Sequence, residues 1–242
     1  MFSEPAVRSF RAHLVARIIR ETGAGPTTRV LSVGCGIGDT ELLLAPHVSE
    51  LVGLDVAPNA IRQATTDAQK LGLRNASFLE GSVERVSGQT FDVVLAVFFL
   101  HHLLELDFRP VLSQIFAVLV PGGVFYSLDP SRKRLSGKLG ALLVPHLLKK
   151  YQSPQERQLD PSSTAAAVRA VGFETSTCMY DFASTPAAGL FPRWRPGYRI
   201  ARRLDDLLIR IPLLRDMGSN FEVLARKRYS PKNSPIGASG ST

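Results

Sequence analysis

The stretch Val30-Leu31-Ser32-Val33-Gly34-Cys35-Gly36-Ile37-Gly38-Asp39-Thr40-Glu41 decides how this chain folds. A short β-prone run leads into three alternate glycines, and a helical pattern opens at Asp39. That order reads as strand, tight turn and helix, the first unit of a parallel α/β sheet. In such sheets a ligand sits at the carboxyl ends of the strands, beside this turn. Gly34, Gly36 and Gly38 let the backbone bend sharply and approach a ligand without Cβ clashes. A dinucleotide fingerprint would read G-x-G-x-x-G. Here Gly38 takes the fifth position and Asp39 the sixth, and an acid at a helix N-terminus opposes a pyrophosphate. The next strand closes on Leu54-Asp55, about 20 residues beyond the glycines, where a carboxylate accepts hydrogen bonds from ribose hydroxyls. Turn, acid and the unfavourable diphosphate site together point to a nucleoside with a small charged tail.

Outward from this unit, strands and helices alternate. A helix from about Glu4 to Glu21 places Val7, Phe10, Leu14 and Ile18 on one face, and Gly23 to Pro26 ends it. The runs "RVLSV", "ELVGLDV", "NASFLEG", "FDVVLAVF", "GGVFYSLD", "FETSTCMYDF" and "SNFEVLARK" read as strands. Helices open near Asp39, Pro58 and Phe108, and Asp160-Pro161 reads as an N-cap followed by a first-turn proline. The alternation predicts an α/β protein with a sheet covered on both faces. Two segments, 130–159 and 183–218, are too long for simple connections and read as helical cap insertions. The expected layout is an N-terminal helix over 1–28, a domain over 29–228 carrying both insertions, and a loose Ser/Pro/Gly-rich tail over 229–242.

Apolar residues make up 45% of the 242 and charged residues 21%, the balance of a folded soluble protein. The N-terminal segment intersperses arginines with apolar residues and does not read as a signal peptide. The longest uncharged run, Pro110 to Leu128, is broken by Pro121-Gly122-Gly123, so no spanning helix is expected. Cys35 and Cys178 are read as reduced thiols of a cytoplasmic protein.

The net charge of +8 is uneven. Residues 1–130 hold 10 basic and 13 acidic side chains, while residues 131–242 hold 19 and 8. The basic half reads either as solvated helix faces or as a surface for an anionic membrane, an acidic substrate or nucleic acid. Within it, Ile200, Leu204, Leu207, Leu208 and Ile211 share one helical face, with Arg199, Arg202, Arg203 and Arg210 on the other sides. The helix near 198–211 is either a cap docked over the pocket or a peripheral contact with an anionic bilayer. Few aromatics interleave the arginines, which disfavours nucleic acid.

The motifs "VLSVGCGIGDTELLLA", "LVGLDVAPNAIRQA", "ASFLEGSVERV", "FDVVLAVFFLHHL", "LVPGGVFYSLDP" and "NFEVLARK" together resemble the class I S-adenosylmethionine-dependent methyltransferases, from about Arg29 to Asp129 and again from Asp160 to Lys227. The resemblance implies a Rossmann-like doubly wound sheet of seven strands, the last antiparallel and slotted between the fifth and sixth. It implies S-adenosyl-L-methionine as cofactor, with Gly34, Cys35, Gly36 and Gly38 along its methionine part. Asp55 would hold the ribose hydroxyls, Val56 would pack on the adenine, and Ser82 and Val83 would meet the adenine edge. Ala96, Val97 and Phe98 would lie under the sulfonium. Ser32 and Ser82 stand where many members carry an acid; a serine still offers one hydrogen bond.

Methyl transfer is a displacement at a sulfonium carbon whose leaving group is already activated, so the protein chiefly aligns donor and acceptor. A base is needed only where the acceptor loses a proton. His101 is the expected base, with packing at a helix start as the alternative for it and His102. His102, Tyr126, Asp129 and Arg132 are secondary candidates for substrate contact. No Asn-Pro-Pro-Tyr type motif follows the fourth strand, no cysteine is placed to attack a pyrimidine, and no metal-ligand spacing is present. The expected activity is methylation at O or N of a small, apolar or lipid-like acceptor. The alternatives are an RNA acceptor or a non-catalytic protein that binds S-adenosylmethionine.

Overall fold

The strands that lack polar alternation occupy the middle of the sheet, as burial on both faces requires. In the computed structural model the described residues are 4–133, 159–212, 214 and 217–228. The tail expected over 229–242 and most of the insertion expected over 130–159 lie outside them. The strands are β1 (Arg29–Val33), β2 (Glu50–Asp55), β3 (Ala76–Glu80), β4 (Phe91–Val97), β5 (Leu119–Pro130), β6 (Phe173–Asp181) and β7 (Asn220–Lys227). They form one seven-stranded sheet in the order β3-β2-β1-β4-β5-β7-β6. The first five pair in parallel, and β7 runs antiparallel between β5 and β6. The strand order reverses at β1, flanked by β2 and β4, which opens a crevice at their carboxyl ends.

The helices are α1 (Pro5–Thr22), α2 (Glu41–Leu44), α3 (Pro58–Lys70), α4 (Glu105–Val118), α5 (Pro161–Ala170), α6 (Ser184–Leu190) and α7 (Arg195–Leu208). One core layer joins α1 and α3 to Val30, Leu51, Leu95 and Tyr126; the other joins α4 and α5 to Leu31, Val94, Phe125 and Val223. α1 opens with Pro5 and ends where Gly23, at φ +74°, donates its N–H to the Ile19 carbonyl. It buries Ala6, Phe10, Leu14 and Ile18, a strict four-residue spacing that leaves Val7 at the edge of the stripe. Each large side chain so buried contributes about 1.5–3 kcal/mol. Asp160 caps α5 as the sequence suggested, accepting from the N–H groups of Ser162 and Ser163, both at 3.1 Å. The two ends of the first insertion lie side by side, Ser131 bridging Leu159 and the Arg132 N–H donating to the Leu159 carbonyl.

One polar joint ties the first helix to the last strand. Glu222 on β7 is buried, and Arg17 of α1 grips it with Nε 2.9 Å from Oε1 and 3.0 Å from Oε2. The Tyr126 hydroxyl on β5 donates to the same carboxylate, as does the Cys178 thiol of β6 at 3.1 Å. α6 and α7 are moored by a second buried carboxylate. Asp205 accepts from the N–H groups of Phe182, Ala183 and Ser184, at 3.0, 2.9 and 2.9 Å, just past the end of β6. α7 therefore packs through Gly197, Tyr198, Ala201, Arg202 and Asp205, and its apolar stripe faces outward.

Removing Arg17 leaves Glu222 buried without its counter-charge, a loss of about 3–5 kcal/mol. Arg17→Leu is therefore expected to lower the melting temperature by roughly 6–20 °C in a chain of this size, read by calorimetry. The double variant Arg17→Leu with Glu222→Leu is expected to recover part of that drop, since the buried Tyr126 hydroxyl then loses its acceptor.

Candidate functional site

The glycine loop is held open by the acid that follows it. Asp55 ends β2 and accepts from the Gly36 N–H at 2.8 Å and the Ala57 N–H at 2.9 Å. The Cys35 N–H donates to the Leu54 carbonyl at 2.9 Å, so the loop folds back over the end of β2. Gly34, Gly36 and Gly38 have φ of +68°, +55° and +77°, the left-handed region that side chains resist. They are not equivalent. A Cβ on Gly34 would lie 2.1 Å from the Phe99 ring, and one on Gly38 would sit 3.2 Å from Ala64 and Phe78. At Gly36 no atom lies within 4 Å of the added carbon. Gly36 thus fronts open space, and the other two are close-packing positions.

That space belongs to a cavity of about 640 Å³. Its wall includes Gly34, Cys35, Gly36, Asp55, Val56, Ser82, Val83 and Val97, which gathers most of the expected cofactor residues. Cys35 turns its sulfur inward. A Cβ on Gly53 would lie 2.9 Å from it, so the glycine makes room for the thiol. Burial pushes the Cys35 thiol far above its ordinary range, which removes it as a nucleophile.

Other expected residues stand elsewhere. Gly38 is absent from the wall because it packs α3 and Phe78. Ala96 is fully buried, beside Ser127 in the sheet, and does not reach the cavity. Tyr126 lies in the core with its hydroxyl on Glu222. Asp129 is fully buried and accepts from the His101 ring Nδ1 at 2.9 Å and from the His101 N–H at 3.2 Å. Burial raises that carboxyl, and the His101 hydrogen bonds oppose the rise. Arg132 is exposed and does not line the cavity. His101 is buried against Asp129, whereas its neighbour His102 is exposed and lines the wall. The two rings lie 4.0 Å apart, centroid to centroid. The Leu100–His102 turn is a single 3₁₀ turn, in which adjacent side chains diverge by about 120°. Among the described residues, none of α6 or α7 lines the cavity.

Several wall residues were not read from the sequence. Glu41, nearly fully buried, accepts from the Ser32 hydroxyl at 2.6 Å and faces the cavity. The acid missing at Ser32 is thus supplied nine residues later; burial raises its carboxyl and the Ser32 bond counters this. Arg11 reaches in from α1, donating to the Thr40 hydroxyl at 3.1 Å and standing 3.9 Å from Asp39. Its guanidinium lies 5.3 Å from the Phe10 ring centre and 5.7 Å from that of Phe98. Phe98, at φ +54°, is the one non-glycine residue in the left-handed region among the described residues. Such strain concentrates at functional sites, and Phe98 lines the cavity with Phe99 and Leu103.

Comparison with known proteins supplies the class. Residues 30–123 match the family profile described as a methyltransferase domain. The chain is 31% identical over 103 residues to the uncharacterized methyltransferase YcgJ of Bacillus subtilis, covering 42% of this chain and 40% of that protein. It is 29% identical over 153 residues to the ubiquinone biosynthesis O-methyltransferase of Azorhizobium caulinodans, covering 61% of this chain and 59% of the relative. The chain thus spans less than two thirds of these curated relatives. The crystal structure of YcgJ from Bacillus subtilis superposes with a TM-score of 0.62 at 20% identity, covering 90% of this chain and 99% of that one. Sheet order and cavity position define a Rossmann-like fold with its ligand site at the β1/β4 switch point. With the profile match over residues 30–123, the chain is similar to the class I S-adenosylmethionine-dependent methyltransferases.

The glycines give a paired test. Gly34→Ala must displace Phe99 and is expected to destabilise the fold by more than the roughly 1–2 kcal/mol that left-handed backbone alone costs an alanine. Gly36→Ala is expected to stay within that cost yet weaken binding of S-adenosylhomocysteine, since its methyl enters the cavity. Thermal melts and calorimetric titration of both variants check the contrast.

Proposed function

We propose that the protein transfers a methyl group from S-adenosylmethionine to an O or N atom of a small, apolar or lipid-like acceptor. The observation that carries this reading is the composition of one wall. The segment after β4 contributes Phe98, Phe99 and Leu103, all apolar, with His102 among them. When bound, the cofactor supplies an electrophilic methyl on a cationic sulfur.

The chain's own residues suit that cofactor. The Asp55 carboxylate spends one acceptor site on each of two backbone N–H groups and keeps capacity for ribose hydroxyls. Val56 and Val83 offer apolar surface to a flat ring, and Ser82 a polar edge. Glu41 and Arg11 present opposite charges to the two ends of an amino-acid tail. Open space in front of Gly36 admits a ligand against bare backbone.

In this reading His102, which lines the cavity, takes the proton from an acceptor. His101 acts through it as a positioning residue, fixed by Asp129 and packed at a tilt against the His102 ring. This exchanges the roles expected of the two histidines. The relative named for O-methylation in ubiquinone biosynthesis supports an oxygen on an apolar acceptor.

Incubation with methyl-labelled S-adenosylmethionine, a lipid extract and total RNA tests the reading. Label is expected in the organic-soluble fraction; label in RNA, or in neither despite cofactor binding, overturns it. Asp55→Ala is expected to weaken S-adenosylhomocysteine binding at least tenfold, as loss of a charged hydrogen bond does. His102→Ala is expected to lower kcat about a hundredfold on a protic acceptor while cofactor affinity stays within about twofold, by single-turnover kinetics and calorimetry.

A further inference from the structure

α7 turns its greasy side to solvent. Ile200 is 55% exposed, Leu204 50% and Leu207 60%, and Ile211 continues the stripe. At the N-terminal end of the helix, Trp194 is 55% exposed and stands 6.2 Å edge-on from the exposed ring of Phe191. We propose that this face docks peripherally on an anionic lipid bilayer.

The orientation is enforced by the protein. Asp205 holds three backbone N–H groups, and Arg202 donates to the Tyr180 carbonyl at 3.1 Å, so rolling the stripe inward would break buried polar bonds. A contiguous row of large apolar side chains rimmed by polar ones exceeds the isolated exposure normal on a monomer. Charge decides the occupant. Arg199, Arg203 and Arg210 follow one another along the flank of the stripe, all exposed, and have no acidic partner among the described residues. The helix's own acids are committed, Asp205 to backbone and Asp206 to Arg202 at 2.7 Å. An anionic headgroup layer answers the arginines while its acyl boundary takes the stripe and the aromatic pair. A second copy of this chain would bring arginine against arginine, and a polyanion such as RNA would leave the stripe in water.

The surface also sits beside the cavity. The Ala6 N–H of α1 donates to the Pro192 carbonyl at 2.8 Å, five residues before Arg11 on the cavity wall. Asp205 moors α7 at the carboxyl end of β6, the end of the sheet on which the cavity opens.

Trp194 is the chain's single tryptophan, so it reports on this face without labelling. Its emission is to be followed in the whole protein with vesicles of phosphatidylcholine, with and without phosphatidylglycerol, carrying brominated acyl chains. The expected result is a blue shift and bromine quenching with the anionic vesicles, at least tenfold weaker association with the neutral ones, and co-sedimentation to match. Leu204→Glu with Leu207→Glu, both solvent-facing, is expected to abolish all three signals with the melting temperature unchanged. Unchanged emission with the protein left in the supernatant would overturn the proposal. So would a blue shift that grows with protein concentration in the absence of lipid, or undiminished vesicle binding by the folded double variant. None of these readouts depends on turnover, so the surface stands or falls apart from the methyl-transfer reading.

Discussion

The site depends on one carboxylate. Asp55 stands at the end of β2 and draws the Gly36 N–H towards it across the crevice, while its other oxygen holds the Ala57 N–H that starts the path into α3. A charged acceptor binds amide donors about twice as strongly as a neutral one, so a single side chain ties two turns together. The three left-handed glycines become tolerable in that context. The clamp adds to the Cys35 N–H bond to the Leu54 carbonyl and the Gly38 N–H bond to the Cys35 carbonyl, which together hold φ values that glycine visits only as one option among several. The loop geometry is thus set by the chain itself, and the carboxylate that sets it lines the cavity with acceptor capacity to spare.

Much of this was legible in the chain itself. Strands with unbroken apolar runs proved central, and the glycine turn with its spaced acid marked the crevice, because both signals are carried by residues close in sequence. Less local features escaped. Glu41 replaces an acid missing at Ser32 only because α2 folds its first turn back onto β1. Arg11 belongs to a helix outside the alternating pattern and reaches the cavity through tertiary packing on Phe98. Between His101 and His102 the sequence reading chose the first as base, with no local signal for which ring faces the cavity. One 3₁₀ turn sends the first to Asp129 and the second to the wall, and that turn is set by the end of β4.

α7 illustrates a different limit. Its periodicity is strong, and hydrophobic stripes usually face the core. Here two polar side chains win the inward side, Asp205 by satisfying three amide donors and Arg202 by spanning the Tyr180 carbonyl and Asp206. Unmade buried hydrogen bonds cost more than exposed leucines, which lose only their transfer energy. Amphipathicity told where a boundary lies along the helix and left open which side of it is protein.

α1 serves two masters at once. Arg11 leans on the cavity wall, and Arg17, about 9 Å further along the same rigid rod, clamps the carboxylate shared with Tyr126 and Cys178. Whatever steadies the front of the rod steadies its middle. Occupancy of the cavity and heat tolerance of the far strand are therefore thermodynamically linked, and the helix transmits between them without needing to move.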